Sequence, residues 1–264
     1  MSRQTINIKD FDLFYDIVKS LTKMAEGIKF MVDENGLVIY AKNDYSKCNI
    51  NSNVISSSSS IEFCIAELGM LLKILTTIKD IYKNDYSDVK FIYEKPFLKV
   101  ESGKFKVKLS TCDEQRVAKY VTSKIRTVLT PKIEFTTNSA LIKTINGHSF
   151  ISPDPANIRV YITTERDMQN NTVFATVGIE SNELANSATL ELGLLNSGSL
   201  INADGTTQKV ILDFNRLNIL NMVPSDEIKV MVANERPVLV SNITKNGNND
   251  SYFDITICSF MMAR

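Results

Sequence analysis

The chain has 264 residues, 44% hydrophobic and 23% charged, long enough to bury a sizeable core and of a length that suggests two ordinary domains or one large one. That composition excludes a disordered tail, a collagen-like fibre and a disulfide scaffold. Its 30 basic and 30 acidic residues cancel, so any attraction to DNA or to an anionic membrane has to come from a local patch.

The most apolar stretch, around Phe63 to Ile78, is interrupted by Glu67 and Lys73, and the N-terminal MSRQTINIKD has no apolar signal core. A cytosolic or nuclear protein is the expectation. Cys48, Cys64, Cys112 and Cys258 lie far apart without a CxxC spacing. They read as plain buried or half-buried thiols, with no zinc site, no disulfide framework and no cofactor indicated.

In chain order, INI at 6–8 alternates like a strand, and Asp10 is placed to cap DLFYDIVKSLTKM, whose apolar residues recur at helical spacing. IKFMV and LVIYA follow as a hairpin, with Asp33-Glu34-Asn35-Gly36 supplying the turn. KCNINSNVI and a polar Ser57–Ser60 run lead to the strand IEFCIA, which feeds the helical ELGMLLKILTTIKDI. VKFIYEK, PFLKVES and KFKVKLS then read as a three-stranded meander.

From residue 132 the signals restart. KIEF reads as a strand and SALIKTINGH as a helix; NIRVYITT, TVFATVGI and SATLELGLL read as strands. QKVILDF is a strand feeding the helix NRLNILNMV, and IKVMVAN, PVLVSNI and YFDITICSF close as a second meander. Ile61, Phe63, Ile65, Leu68, Leu71 and Ile74 recur at one constant offset as Val210, Leu212, Phe214, Leu217, Leu220 and Val223. FIYEKPFLKV and VMVANERPVLVS repeat a proline, Pro96 and Pro237, read as the first residue of a strand, where no ladder hydrogen bond is lost. The chain therefore reads as an internal duplication: a first domain over 1–114, a connector over 115–131 and a second domain over 132–264. Each domain is expected to be antiparallel α+β, with two helices on one face of its sheets.

This layout, written twice, resembles the DNA sliding clamps, among them the proliferating cell nuclear antigen and the clamps of large phages. NERPVLVSNI and the C-terminal DITICSFMMAR are the local features that carry the likeness. The resemblance implies a six-domain ring of three chains around double-stranded DNA, a processivity role in replication, and docking of DNA polymerase and a clamp loader. Richness in Asn, Ile and Lys suggests an AT-rich genome, and a viral or phage source.

A ring holds DNA by encirclement, so its inner surface needs only sequence-independent, salt-sensitive phosphate contacts. Asp12, Asp16, Lys19 and Lys23 share one face of the first helix. That face reads either as solvated with internal ion pairs or as facing DNA. The outward stripe of the second helix is Gly69, Lys73, Thr76, Thr77 and Asp80, with Lys79 to one side; the third offers Ser139, Lys143 and Asn146, the fourth Arg216. These faces are polar and mildly basic, less so than the family's channel. His148, the single histidine, falls beside Leu141 and Ile145 and reads as a packing residue.

The connector carries Val117, Tyr120, Val121, Ile125 and Val128, so it is no Gly/Ser tether. The resemblance implies a partner pocket made by Tyr45, Val117, Tyr120, Val121, Ile125, Pro237, Phe260, Met261 and Met262; the alternative is that the C-terminal group closes the second core. It also implies a contact between copies, KFKVKLST against SATLELGLLN, with Lys106, Lys108, Leu190, Glu191 and Leu192 at the seam. An enzyme is the first rival reading, and the sequence offers no nucleophile–base pair, metal cluster or phosphate-cradling glycine loop for it. A virion-type structural protein and a clamp-fold processivity subunit that closes no ring are the others.

Overall fold

The computed structural model describes residues 3–125 except 45, 84 and 104, and beyond them 133–146, 158–167, 172–181, 186–197, 210–212, 227–232 and 238–260, with a few single positions between. The chain divides into two units: Met1–Ile125 together with Thr244–Ile255, and Arg126–Ile243 together with Thr256–Arg264.

In the first unit, β1 (Gln4–Ile8) runs into α1 (Phe11–Leu21). Asp10 stands extended before the helix and its Oδ1 accepts the Leu13 N–H at 2.9 Å, the cap expected from sequence. Phe14, Ile17, Val18 and Leu21 are buried along one side of α1. β2 (Ile28–Asp33) and β3 (Gly36–Lys42) form the hairpin. Asp33 Oδ1 accepts the N–H groups of Asn35 and Gly36 at 2.8 and 3.2 Å, and Gly36 takes a φ of 134°, which only glycine adopts readily. β4 (Ser46–Ser52), β5 (Ile55–Ser56) and β6 (Ile61–Ile65) lead to α2 (Leu68–Tyr82), and β7 (Lys90–Glu94), β8 (Phe97–Ser102) and β9 (Phe105–Ser110) make the meander. Glu94 pairs with Phe97, so Pro96 sits in the two-residue turn between them, after a cis Lys95–Pro96 peptide, instead of opening the strand. Third position in the turn is where a cis proline belongs.

One sheet of this unit is five-stranded in the order β5-β1-β7-β8-β9, and the other runs β4-β3-β2-β6, with the start of β17 (Tyr252–Phe260) beside β4. α1 and α2 lie side by side, and Leu71, Leu75 and Ile78 of α2 join the α1 stripe in the core. Phe14 meets Phe91 edge-on at 5.6 Å, and Phe63 stacks between Phe30 and Tyr93 at 5.1 and 5.4 Å. A single helical turn, α3 (Glu114–Val117), opens the connector; the sequence reading had no helix there, since one turn is too short for a periodic signal.

The second unit repeats the order with β10 (Ile133–Thr137), α4 (Ser139–Asn146), β11 (Ile158–Asp167), β12 (Thr172–Ser181), β13 (Ser187–Ser197), β14 (Val210–Leu212), β15 (Ile228–Val232) and β16 (Val238–Asn246), followed by β17. Its strand pairs among the described residues are antiparallel. Asn138 Oδ1 caps α4 through the Leu141 N–H at 2.9 Å. Ser139, expected on an outward stripe, is buried with its Oγ accepting the Ser225 N–H at 2.6 Å. His148, Phe214 and the expected helix over 215–223 lie outside the described residues.

The Thr244–Ile255 hairpin joins the first unit through the same Asp10 that caps α1. Its Oδ2 accepts the Asn248 N–H at 2.8 Å and the Ser251 hydroxyl at 2.7 Å. Lys9 and Asn53 donate to the Asp250 carbonyl at 2.9 and 3.0 Å, and Ser52 donates to the Tyr252 carbonyl at 2.6 Å. Asp10→Ala leaves three donors without their acceptor, two of them backbone amides, and is expected to lower stability by about 2–4 kcal/mol in urea unfolding, Asp10→Asn by less. A loss under about 0.5 kcal/mol for the alanine variant would mean that the hairpin is held by its other bonds.

Candidate nucleic-acid interface and docking surface

The outward side of α1 and α2 is where sequence placed four of its six DNA-facing cations. Lys19, Lys23 and Lys73 are exposed there. Lys79 is half-buried, bonded to Asp12 with its ammonium 4.8 Å from the Tyr15 ring centre. Asp16 is engaged in turn by Lys245 of β16. The acids of α1 are thus engaged by lysines from α2 and from the hairpin. At this exposure such pairs add little stability. Their effect is on charge: cancelling two carboxylates leaves the shared face cationic. Lys143 is exposed on α4, and Arg216 lies outside the described residues.

Burial opposes the charge on Lys79, but the Asp12 carboxylate beside it, with Tyr86 and Asp16, outweighs this and raises its pKa above the ordinary 10.5. A raised lysine contributes stability that is present below pH 10.5 and lost as pH climbs through the folded value. The stability difference between the protein and Lys79→Gln should therefore stay flat from about pH 6 to 9 and shrink above about 10.5, read by urea midpoints.

The connector is seated on the first unit. β2 pairs with β3 only over Gly36–Val38, which leaves the edge at Tyr40–Lys42 open. The connector fills it: Lys42 N–H donates to the Tyr120 carbonyl at 2.8 Å, Thr122 N–H to the Tyr40 carbonyl at 3.3 Å, and Val121 opposes Ala41. Tyr120 donates its hydroxyl to Glu26 at 2.5 Å, and the Ile125 N–H donates to Asn49 Oδ1 at 3.1 Å. Tyr120, Val121 and Ile125, all half-buried, therefore line one run along β3 and β4. Val117, expected in the partner pocket, is fully buried against Gly27, so it is a packing residue with no surface to offer. Phe260 ends β17, with its side chain outside the described residues, as are Tyr45, Pro237, Met261 and Met262. The backbone pairing of the connector with β3 has no sequence signal beyond the apolar residues at 117, 120 and 121.

Of the residues expected between copies, Lys106 and Lys108 are exposed on β9, Lys108 lying 5.7 Å over the Phe97 ring. Glu191 is exposed on β13; Leu190 and Leu192 belong to that strand, and their side chains lie outside the described residues. β9 is the terminal strand of its sheet, and Ser187–Leu194 of β13 pairs with β12 on one edge, with no partner on the other among the described residues.

A methyl group on Gly27 would stand 2.7 Å from Val117 Cγ1 and 3.0 Å from the Ile65 carbonyl, whereas one on Gly69 of α2 would meet open space. Gly27→Ala is expected to cost about 1–3 kcal/mol and to speed protease cleavage within 118–125. Gly69→Ala should gain up to about 1 kcal/mol and leave cleavage unchanged. Equal cleavage in both variants would separate the connector's seat from Val117.

No family model matches the sequence, and no curated protein matches it. Solved structures do. A structure of A. fulgidus PCNA bound to the C-terminal region of FEN-1 is 13% identical over 100% of both chains with a TM-score of 0.68. PCNA from Entamoeba histolytica is 14% identical over 97% of this chain and 98% of its own, with a TM-score of 0.68. PCNA from Thermococcus kodakaraensis is 15% identical over 98% of this chain and 100% of its own, with a TM-score of 0.64. At such identities the likeness is one of fold, and it spans the chain: the protein has the two-domain fold of the DNA sliding clamps.

Proposed function

We propose that the protein is a DNA sliding clamp, a non-enzymatic processivity factor that encircles duplex DNA as a ring of three copies. The observation that carries this reading is the pair of open strand edges. β4 takes the start of β17 as its neighbour. The counterpart of β4 in the second repeat is β13, and the counterpart of β17 in the first repeat is β9; among the described residues, β9 and the Ser187–Leu194 stretch of β13 each have one edge without a partner. Pairing β9 of one copy with β13 of the next repeats a contact the chain already makes and removes exposed edges that otherwise invite aggregation. Lys106 and Lys108 then stand where Glu191 of a neighbouring copy sets the register.

In this ring the domains are 1–114 and 132–264, joined by 115–131. Lys19, Lys23, Lys73 and Lys143 attract phosphates without reading sequence, with Arg216 adding to them and Lys79 weakened by its bond to Asp12. DNA polymerase and a clamp loader dock on Tyr120, Val121 and Ile125 with Tyr45, Pro237, Phe260, Met261 and Met262. The FEN-1 segment bound to the A. fulgidus protein supports a peptide-docking role for this fold. A viral or phage source fits the mildly basic helix faces and the apolar connector, with work in the host cytoplasm or a nucleus.

Light scattering at micromolar concentration should give a trimer, and the protein loaded on nicked circular DNA should be lost on linearisation. A monomer at that concentration, or retention indifferent to linearisation, overturns encirclement. Lys19→Glu with Lys73→Glu should weaken DNA retention and flatten its salt dependence by about two phosphate contacts, a slope change near 1.8, while the trimer persists.

A further inference from the structure

Cys64 on β6 and Cys112, just past β9, oppose each other in an isolated antiparallel bridge, the Cys112 N–H donating to the Cys64 carbonyl at 2.9 Å. Directly opposed residues of antiparallel chains send their side chains to the same side with Cα atoms about 5.5 Å apart or closer, and disulfides span Cα separations of roughly 4.4–6.8 Å. Cys64 stands across from Lys29 on β2, and the start of the connector lies over that face, Lys29 bonding Glu62 at 2.9 Å and Glu114 at 2.8 Å. Cys64 is buried beneath, while Cys112 is half-exposed. Both residues line one open cleft of about 420 Å³, walled also by Tyr93, Pro96 and Thr111, from which a small molecule can approach the half-exposed Cys112.

We propose that Cys64 and Cys112 are a redox pair that closes to an intramolecular disulfide when a low-molecular-weight disulfide is the oxidant, stapling the segment between β9 and the connector to β6. Cys112, deprotonated, attacks one sulfur of the small disulfide; that S–S bond breaks and one small thiolate leaves, collecting the Cys112 proton. Cys64 then attacks the Cys112 sulfur of the mixed disulfide, and the second small thiolate leaves with the Cys64 proton. Two protein thiols are oxidised and one small disulfide is reduced to two thiols. Burial pushes Cys64 up to about 11 and raises Cys112 as well, so both are protonated near neutral pH and the exchange quickens as pH rises. Cys48, opposite Ala41 and buried, is the internal control.

The test is exposure of the reduced full chain to oxidised glutathione, then alkylation under denaturing conditions, intact mass and peptide mapping. Two of the four thiols should resist alkylation, with a Cys64–Cys112 linked peptide. The thermal midpoint should rise by about 5–10 °C. Cys112→Ser should show neither link nor shift, and Cys64→Ser serves as a second variant. Four alkylated thiols in the parent, glutathione retained on Cys112 without closure, or a link through Cys48 or Cys258 overturns the proposal.

Discussion

Asp10 carries two duties that would ordinarily fall to separate residues, since one carboxylate oxygen caps α1 and the other takes an amide and a hydroxyl from a hairpin more than two hundred residues further on. A buried carboxylate is tolerated only where its lone pairs are filled, and here the filling is also the joint between the two ends of the sequence. The direction of α1 follows from that joint. So does the placing of Lys245 against Asp16, and with it the charge of the face that α1 shares with α2.

That face shows how an electrically neutral protein presents a local cationic surface. Two acids are silenced by partners reaching in from other elements, and Lys19 and Lys73 stand out against what remains. The connector follows a comparable economy, because the pairing of β2 with β3 ends at Met31–Val38 and the peptide groups of Tyr40 and Lys42 bond Thr122 and Tyr120 instead. Its course is therefore set by backbone pairing, with Val117 as the anchor and Tyr120, Val121 and Ile125 left partly in view.

Features written in a few consecutive residues were legible beforehand. The Asp10 cap, the Asp33–Gly36 turn, the helical stripes and both meanders are local patterns, and the duplication made each half a check on the other. What escaped depends on partners distant in sequence. The acids of α1 looked paired with Lys19 and Lys23 because i,i+4 spacing is all a single helix can show, whereas Lys79 and Lys245 lie far along the chain. Val117 looked like a docking residue because an apolar connector position gives no hint of Gly27 beneath it. Cys64 and Cys112 looked unrelated because cysteine spacing reveals close pairs only within short motifs. Ser139 was put on a surface by helical angle, and the backbone of Ser225 covers it.

The membership of Thr244–Ile255 in the first unit bears on biosynthesis. A ribosome makes α1 first, yet the bonds that fill Asp10 arrive only after the more than two hundred residues between them have been translated. Until then α1 has its cap and its apolar stripe but lacks the strand beside β4, and the nascent segment carries an extra bare edge through the whole elongation of the second repeat. Completion of the first repeat is thus deferred until the second has been translated, a period in which a holding chaperone has most to protect.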